Sequence, residues 1–302
     1  MSSAKLEPDA WAVGHVTLDR IVAPNRPIKE QFGGSAYYVA LAWAALGWRA
    51  GIVTRMAEGD AERLRKQLEP RGVRLVNHAC AATTAFENRY EDEALARRIQ
   101  SVTGIADPFE AAHVEGLSAD AFHLGPLTAD ELPTDVLRAV VDKGARVSFD
   151  AQGDLRRVDD QRVVPARMRD VAARLSGVTA LKVDDAEATM LVGEADPAAA
   201  ARALAAHGVA EVLVTFADRG ALVCHDETVA PVAPVPPREH VDATGCGDTF
   251  VASYAFGRGQ GMTPVEAAGF AASAASLKLE GYGPLSASAD HVRANLRRVR
   301  AN

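Results

Sequence analysis

At 302 residues, with 48% apolar and 24% charged side chains, the chain has the composition of a globular protein able to bury a sizeable core. Its net charge of -7 argues against a nucleic-acid or anionic-membrane partner. Cys80, Cys224 and Cys246 are odd in number and lack C-x-x-C spacing, which speaks against a disulfide framework or a zinc site and for a reducing, cytoplasmic setting.

Short apolar, β-branched segments alternate with helical ones. "WAVGHV" (11–16) predicts a strand, and the Ala-rich run from Ser35 to Leu46, closed by Gly47, predicts a helix. "AGIVT" is a second strand, followed by a helix that Asp60 caps and Gly72 terminates. Then come "AFHLG", a helix ending at "DKG", the strands "RVSFD" and "TALKV", and a helix from Asp185. Asp196-Pro197 places an N-cap before a proline at the first helical position, and "EVLVTF" is the next strand. This alternation predicts one α/β domain over residues 1–302, doubly wound, with a mostly parallel sheet sandwiched by helices. Residues 20–33 and 78–106 are polar and break the rhythm; they are read as surface loops or as a small antiparallel β lid over the carboxyl ends of the strands. Thr263-Pro264-Val265-Glu266 combines an N-cap, a proline and a capping-box glutamate. The Ala-, Ser- and Gly-rich helix behind it allows close approach of a neighbouring helix or of a flat ligand. The opening "MSSAKLEPDA" has no signal-peptide core, and no run approaches the ~18 apolar residues of a membrane span.

The chemistry concentrates in "HVDATGCGDTF" (240–250). There is no G-x-x-x-x-G-K-[ST] loop, H-E-x-x-H or G-x-S-x-G elbow, and "GRGQG" (257–261) follows a helix rather than a strand. His15 and His123, on strands, read as satisfied core residues. A helix N-terminus exposes unsatisfied N–H groups and the positive end of its dipole, so Gly245-Cys246-Gly247 ahead of an apolar helix forms an anion cradle. Asp248 would repel an anion there; its place is explained either by a simple helix cap or by a base that takes a proton from a hydroxyl attacking phosphorus. On this reading Gly245→Val obstructs phosphate approach without unfolding the protein.

"DATGCGDTF" resembles the C-terminal signature of the ribokinase-like (PfkB) carbohydrate kinases. Four further stretches agree in order: "VGHVTLD" (13–19), the di-glycine stretch "GGSAYYVALAWAALG" (33–47), "LKVDDAEATML" (181–191) and "VTFADRG" (214–220). The resemblance implies that Asp248 is the catalytic base and that the amides of Gly245, Cys246 and Gly247 form the anion hole. It implies substrate binding by Asp19, Gly33 and Gly34, and Mg²⁺ held through water by Glu187, with Asp184 beside it adding negative charge that either tightens the metal or is solvated. Lys182, Thr215, Gly220, Thr244 and the small residues near Ala272 would border ATP. Asp242, with Thr244, resembles a position that holds a monovalent cation such as K⁺ beside the anion hole.

The chain departs from the family pattern at three positions. Asp184 stands where the family's Asn-x-x-Glu begins with Asn, and Tyr38 stands where ribokinases contact sugar with Asn. Cys246 replaces a residue more often alanine; it is read as a small residue or as a thiol whose thiolate the helix end favours. "HLGPL", "DAQGDLR" and "TTAFENRY" resemble the branch of inositol kinases and related sugar kinases, in which Asn88 and Gln152 would face substrate; the alternative is that Asn88 holds the lid hairpin and Gln152 its own loop. The expected activity is transfer of the γ-phosphoryl group of ATP to a hydroxyl of a small polyol, a sugar or a cyclitol such as myo-inositol, with lid closure excluding water. A nucleoside kinase, with Tyr38 or Phe86 stacked on a base, and a non-catalytic ligand-binding regulator are the alternatives. A monomer and a homodimer paired through the lid are both compatible with the sequence.

Overall fold

A computed structural model describes residues 7–22, 24, 27–90 and 98–300. Its elements in chain order are β1 (Ala10–Val13), β2 (Thr17–Val22), β3 (Lys29–Gly33), α1 (Ser35–Leu46), β4 (Ala50–Thr54), α2 (Glu58–Leu68), β5 (Arg74–Asn77), β6 (Ala85–Tyr90), β7 (Arg98–Gly104) and β8 (Ala121–Leu124). There follow α3 (Thr134–Val141), β9 (Arg146–Asp150), β10 (Arg156–Asp159), β11 (Arg162–Pro165), α4 (Val171–Leu175), β12 (Ala180–Asp184), α5 (Asp185–Val192) and α6 (Pro197–Ala205). The chain closes with β13 (Glu211–Thr215), β14 (Ala221–His225), β15 (Thr228–Val232), α7 (Cys246–Gly259), α8 (Pro264–Leu279) and α9 (Ala289–Arg300).

Nine strands form one sheet in the order β15-β14-β13-β12-β9-β8-β1-β4-β5. From β13 to β5 every pairing is parallel, and β14 and β15 add an antiparallel edge. The parallel strands are apolar along their length because helices cover both faces. Ala10 and Ala12 point into a core shared with α1, α2 and α7; Trp11 and Val13 point into a second core with α3 and α6. The chain leaves β1 towards β4 and β5 and later returns to β8, β9, β12 and β13 on the other side. Strand order therefore reverses at β1 and β8, and the crevice outside their carboxyl ends is the expected place for a ligand.

Over that edge lies a four-stranded sheet, β3-β2-β6-β7. Its β2–β3 and β6–β7 pairs are antiparallel, and the two pairs join along a parallel β2–β6 contact. This is the lid expected from the polar segments; within them, residues 23, 25, 26 and 91–97 lie outside the described residues. A β10–β11 hairpin meets it, with the Val102 amide donating to the Gln161 carbonyl at 2.8 Å.

One helix start differs from expectation. α2 begins at Glu58 behind Ala57, so Asp60 sits inside the first turn. Its carboxylate is used elsewhere, accepting from the Thr83 hydroxyl at 2.6 Å and from Arg63 at 3.2 Å. The small residues of α8 serve packing: Ala267, Ala268 and Ala271 are buried against α7 and the β13–β15 edge. Among the described residues, no helix is long and apolar enough to cross a membrane.

Candidate active site

Two helix N-termini converge on the crevice. α1 starts at Ser35 after Gly33-Gly34, and α7 starts at Cys246 after Gly245. The helices pack side by side and are pinned by the Trp43 indole N–H, which donates to the Ala252 carbonyl at 2.9 Å. Gly245 holds φ 80°, the left-handed region, and a Cβ there would overlap the Tyr38 ring. The glycine is thus fixed by its turn and by the aromatic ring beneath it. Gly245→Val would accordingly strain the fold, contrary to the sequence expectation that it blocks only phosphate.

Tyr38 itself is 3% exposed. It offers no free face for a base, and its phenol lies in the field of Asp242, Asp248 and Asp19. Burial first, then those three carboxylates, raise its pKa.

No side chain caps α7. Its first-turn amides keep their capacity to bind an anion, which suits the cradle read at Gly245, Cys246 and Gly247. Asp248, third residue of the helix, is half-buried, and its carboxylate accepts from the Ser35 hydroxyl. Burial and then Asp150 push the Asp248 carboxyl up to about 6, while Ser35 and Lys182 pull it down. Ser35 in turn stands 3.1 Å from His123 Nε2, and His123 Nδ1 stands 3.0 Å from the Ser148 hydroxyl. His123 is fully buried, which drops its pKa to about 4 and keeps it neutral. His15 is likewise buried and bonded, to the Thr84 hydroxyl at 2.9 Å and the Asp107 carbonyl at 3.1 Å.

Lys182, in the middle of β12, reaches beneath the α7 N-terminus: its Nζ lies 3.5 Å from where a Cβ of Gly247 would stand. It pairs with Asp150 at 3.2 Å and Glu187 at 3.7 Å. Burial opposes its charge, but Asp150, Glu187 and Asp248 outweigh that and raise its pKa. Asp150 and Ser35 are the members of this cluster that sequence reasoning missed. The available sign for Asp150 was a carboxylate ending the apolar strand "RVSFD" in a row of strand-end carboxylates.

Asp184 and Glu187 close the N-terminus of α5. Asp184 Oδ1 accepts from the Glu187 amide at 2.7 Å, and Glu187 Oε2 accepts from the Asp184 amide at 2.8 Å. The Glu187 carboxyl is raised by burial, with Lys182 opposing. The chemistry of the donor set fits Mg²⁺. Asp150, Glu187 and Asp248 surround the Lys182 ammonium, and Asp184 caps the helix that carries Glu187, so carboxylates outnumber the cation. Among the described residues no three His, Cys, Asp or Glu side chains form a metal cage.

A monovalent cation does not fit at Asp242. The Lys278 Nζ donates to the Asp242 carbonyl at 2.8 Å and lies 3.5 Å from its carboxylate, so those oxygens are taken. Thr244 is exposed, and its amide donates to Asp242 Oδ1 at 2.9 Å. Cys246 is half-buried; burial pushes its thiol up to about 11, which supports the small-residue role over a thiolate.

Of the expected acceptor residues, Asp19 and Asn88 stand on the lid sheet itself, Gly33 and Gly34 lead from β3 into α1, and Gln152 follows β9. Asp19 and Asn88 lie on one face of the lid sheet, with Phe86 between them in register. Asp19 Oδ2 approaches to 2.7 Å of a Cβ position at Gly33, so the bare Cα of Gly33 makes room for it. Asn88 is 9% exposed, its carbonyl oxygen accepting from Gln100 Nε2 at 3.0 Å. Gln152 follows β9, its amide donating to Asp150 Oδ1 at 2.9 Å. Of the residues expected to border ATP, Thr215 ends β13 in register with Asp184, Gly220 closes the β13–β14 turn, and Ala272 is half-buried on α8.

The doubly wound sheet, the uncapped glycine-rich helix end and the Asp248 carboxylate are parts that a phosphotransferase acting on an alcohol requires, and the family match supplies that class. The chain belongs to the family described as "pfkB family carbohydrate kinase", whose model matches residues 11–290. A cytidine kinase of Thermococcus kodakarensis is 28% identical over 269 residues, 85% of this chain and 91% of that protein. A pyrophosphate-dependent kinase in the ribokinase family, solved with a pyrophosphate analogue and myo-inositol, is 26% identical with a TM-score of 0.81, covering 94% of this chain and 99% of that one. An Arabidopsis thaliana ribokinase solved with ribose and ATP shares the fold at 21% identity and TM-score 0.76, covering 97% and 99% of the two chains.

Proposed function

We propose that the protein transfers the γ-phosphoryl group of ATP to a hydroxyl of a small polyol, a sugar or a cyclitol such as myo-inositol. The observation that carries this reading is Asp248: a half-buried carboxylate in the first turn of α7, beside amides that no side chain caps, and bonded to Ser35 at the start of α1. At neutral pH it is ionised and can take the proton of an attacking hydroxyl. The α7 amides and Lys182 would stabilise negative charge growing on the transferred group. Asp19, Gly33, Gly34, Asn88 and Gln152 would position the acceptor, whose hydroxyls match the donors and acceptors of these side chains. Lys182, Thr215, Gly220, Thr244 and Ala272 would border the donor. Asp184 and Glu187 would hold hydrated Mg²⁺, which when bound supplies neutralisation of the donor phosphates.

The myo-inositol in the similar kinase of 26% identity supports a cyclitol. A nucleoside acceptor is the second reading, favoured by the cytidine kinase relative; the burial of Tyr38 removes one of the two rings it would use. A panel of inositols, sugars and nucleosides, each offered with Mg-ATP and with Mg-pyrophosphate, tests the proposal. ADP formation with a polyol is expected. Turnover of nucleosides alone would establish the second reading, and turnover with pyrophosphate alone would overturn the choice of donor.

A further inference from the structure

The loop that enters the anion cradle is organised by a charge from its own chain. Lys278 stands in the last turn of α8, its side chain 0% exposed. Its Nζ donates to the Asp242 carbonyl at 2.8 Å and to the Gly281 carbonyl at 3.2 Å, with Asp242 Oδ2 at 3.5 Å. Three oxygens therefore surround an ammonium with three protons. Around this centre the two segments are zipped together: the Val241 and Asp242 amides both donate to the Leu279 carbonyl, at 2.9 and 3.2 Å. The Asp242 carboxylate also receives the Thr244 amide, two residues before the α7 N-terminus begins.

The centre has the properties of a monovalent-cation site. It is buried, lined by carbonyl oxygens and one carboxylate, and next to the cradle; the Lys278 charge is felt at Cys246, the first residue of α7. A free cation would need the same oxygens and would meet a positive charge at contact distance. We propose that Lys278 is a tethered substitute for a monovalent cation, so that the anion cradle is held in its working geometry without K⁺. The proposal rests on the kinase reading for its effect on rate. Its structural half, a cation built into the chain, stands apart from that reading. Lys278 acts through the 241–245 loop and is a positioning residue.

Removing the side chain to Cβ should leave a cavity whose inner end, where the ammonium stood, is lined by the same oxygens and suits K⁺ or NH₄⁺ better than the smaller Na⁺. The test is thermal unfolding of the intact protein in KCl, NH₄Cl, NaCl and tetramethylammonium chloride at equal ionic strength. Wild type should melt at one temperature in all four. Lys278→Ala should melt lower, and K⁺ or NH₄⁺ should raise its melting temperature selectively. Lys278→Met fills the cavity with an uncharged stem. It should fold, show no ion selectivity, and lose about 10–100-fold in kcat with little change in acceptor KM, less than the loss of a direct oxyanion donor. A wild-type melting temperature or rate that rises selectively with K⁺ would overturn the proposal. So would a folded Lys278→Ala indifferent to K⁺ and NH₄⁺, or a Lys278→Met with wild-type kcat. Because the melting arm needs no turnover, it decides the Lys278 claim even where the acceptor panel shows no phosphorylation.

Discussion

Two helices begin at the same edge of the sheet, α5 and α7, and each has a carboxylate as its third residue. In α5, Glu187 reaches back to the amide of the N-cap Asp184, which caps Glu187 in return. In α7, the N-cap is Gly245, no side chain caps the helix, and Asp248 engages Ser35 instead. The first arrangement satisfies the helix internally, and the second leaves its amides and dipole for a ligand. The contrast teaches that the cradle is a helix end kept open, and that its carboxylate carries a cost in stability. A folded Asp248 carboxyl above its ordinary value means that the ionised form destabilises the protein above pH 6. That cost disappears as the pH falls from about 6 towards the ordinary range.

The comparison breaks or sharpens under substitution. The largest effect is expected from Asp248→Asn: turnover should fall roughly 10²–10⁴-fold with acceptor affinity largely kept. At pH 8 the same variant should be more stable than wild type by roughly 1–3 kcal/mol, a gain that shrinks below pH 6. Near-normal turnover in this variant would remove the base assignment. Next in size is Gly245→Ala, which should cost about 1–3 kcal/mol in chemical denaturation, because it adds a Cβ at positive φ against Tyr38. Tyr38→Ala in that background should recover the steric part and leave the backbone part, and strict additivity of the two would contradict the contact.

Asp184→Ala probes the closed end. Loss of the cap should cost about 1 kcal/mol of stability, alongside whatever change in Mg²⁺ dependence the variant brings. An unchanged unfolding midpoint would mean that the α5 cap is not holding its helix. The smallest effect is expected from Ser35→Ala. Its hydroxyl lowers the Asp248 carboxyl, so the variant should move the acid limb of the rate profile to higher pH; a shift to lower pH would exclude the hydrogen bond.

Much of this was legible in the sequence because the signals are local. Ser35–Leu46, Ala50–Thr54 and Arg146–Asp150 fall where periodicity and β-branching place them. Asp196 and Thr263 cap their helices as their spacing to proline predicts. The β10–β11 and β14–β15 hairpins were not legible. Their turns place Asp160-Gln161 and Asp226-Glu227 at positive φ, without the Asn-Gly or Asp-Gly pair that announces such a turn.

In the site, the glycine-rich stretch could be read from spacing, whereas spacing left Asp248 as either a helix cap or a base, and the family resemblance made the choice. The Lys182–Asp150 pair joins adjacent strands 32 residues apart in sequence, and Ser35 meets His123 across 88 residues. Such pairs depend on strand order, which local pattern does not encode. The same holds for Lys278: a lysine ending an Ala-rich helix reads as an ordinary cation at a helix C-terminus until Asp242 and Gly281 are seen around it.

The pH dependence of kcat/KM, taken with Mg-ATP and the acceptor that the panel identifies, bears most directly on Asp248 as the base of an open helix end. The rate constant should be level above neutrality and fall about tenfold for each pH unit below about 6, with that limb absent from the residual activity of Asp248→Asn. A profile that stays flat to pH 4.5, or a limb that persists unchanged in the variant, would contradict it.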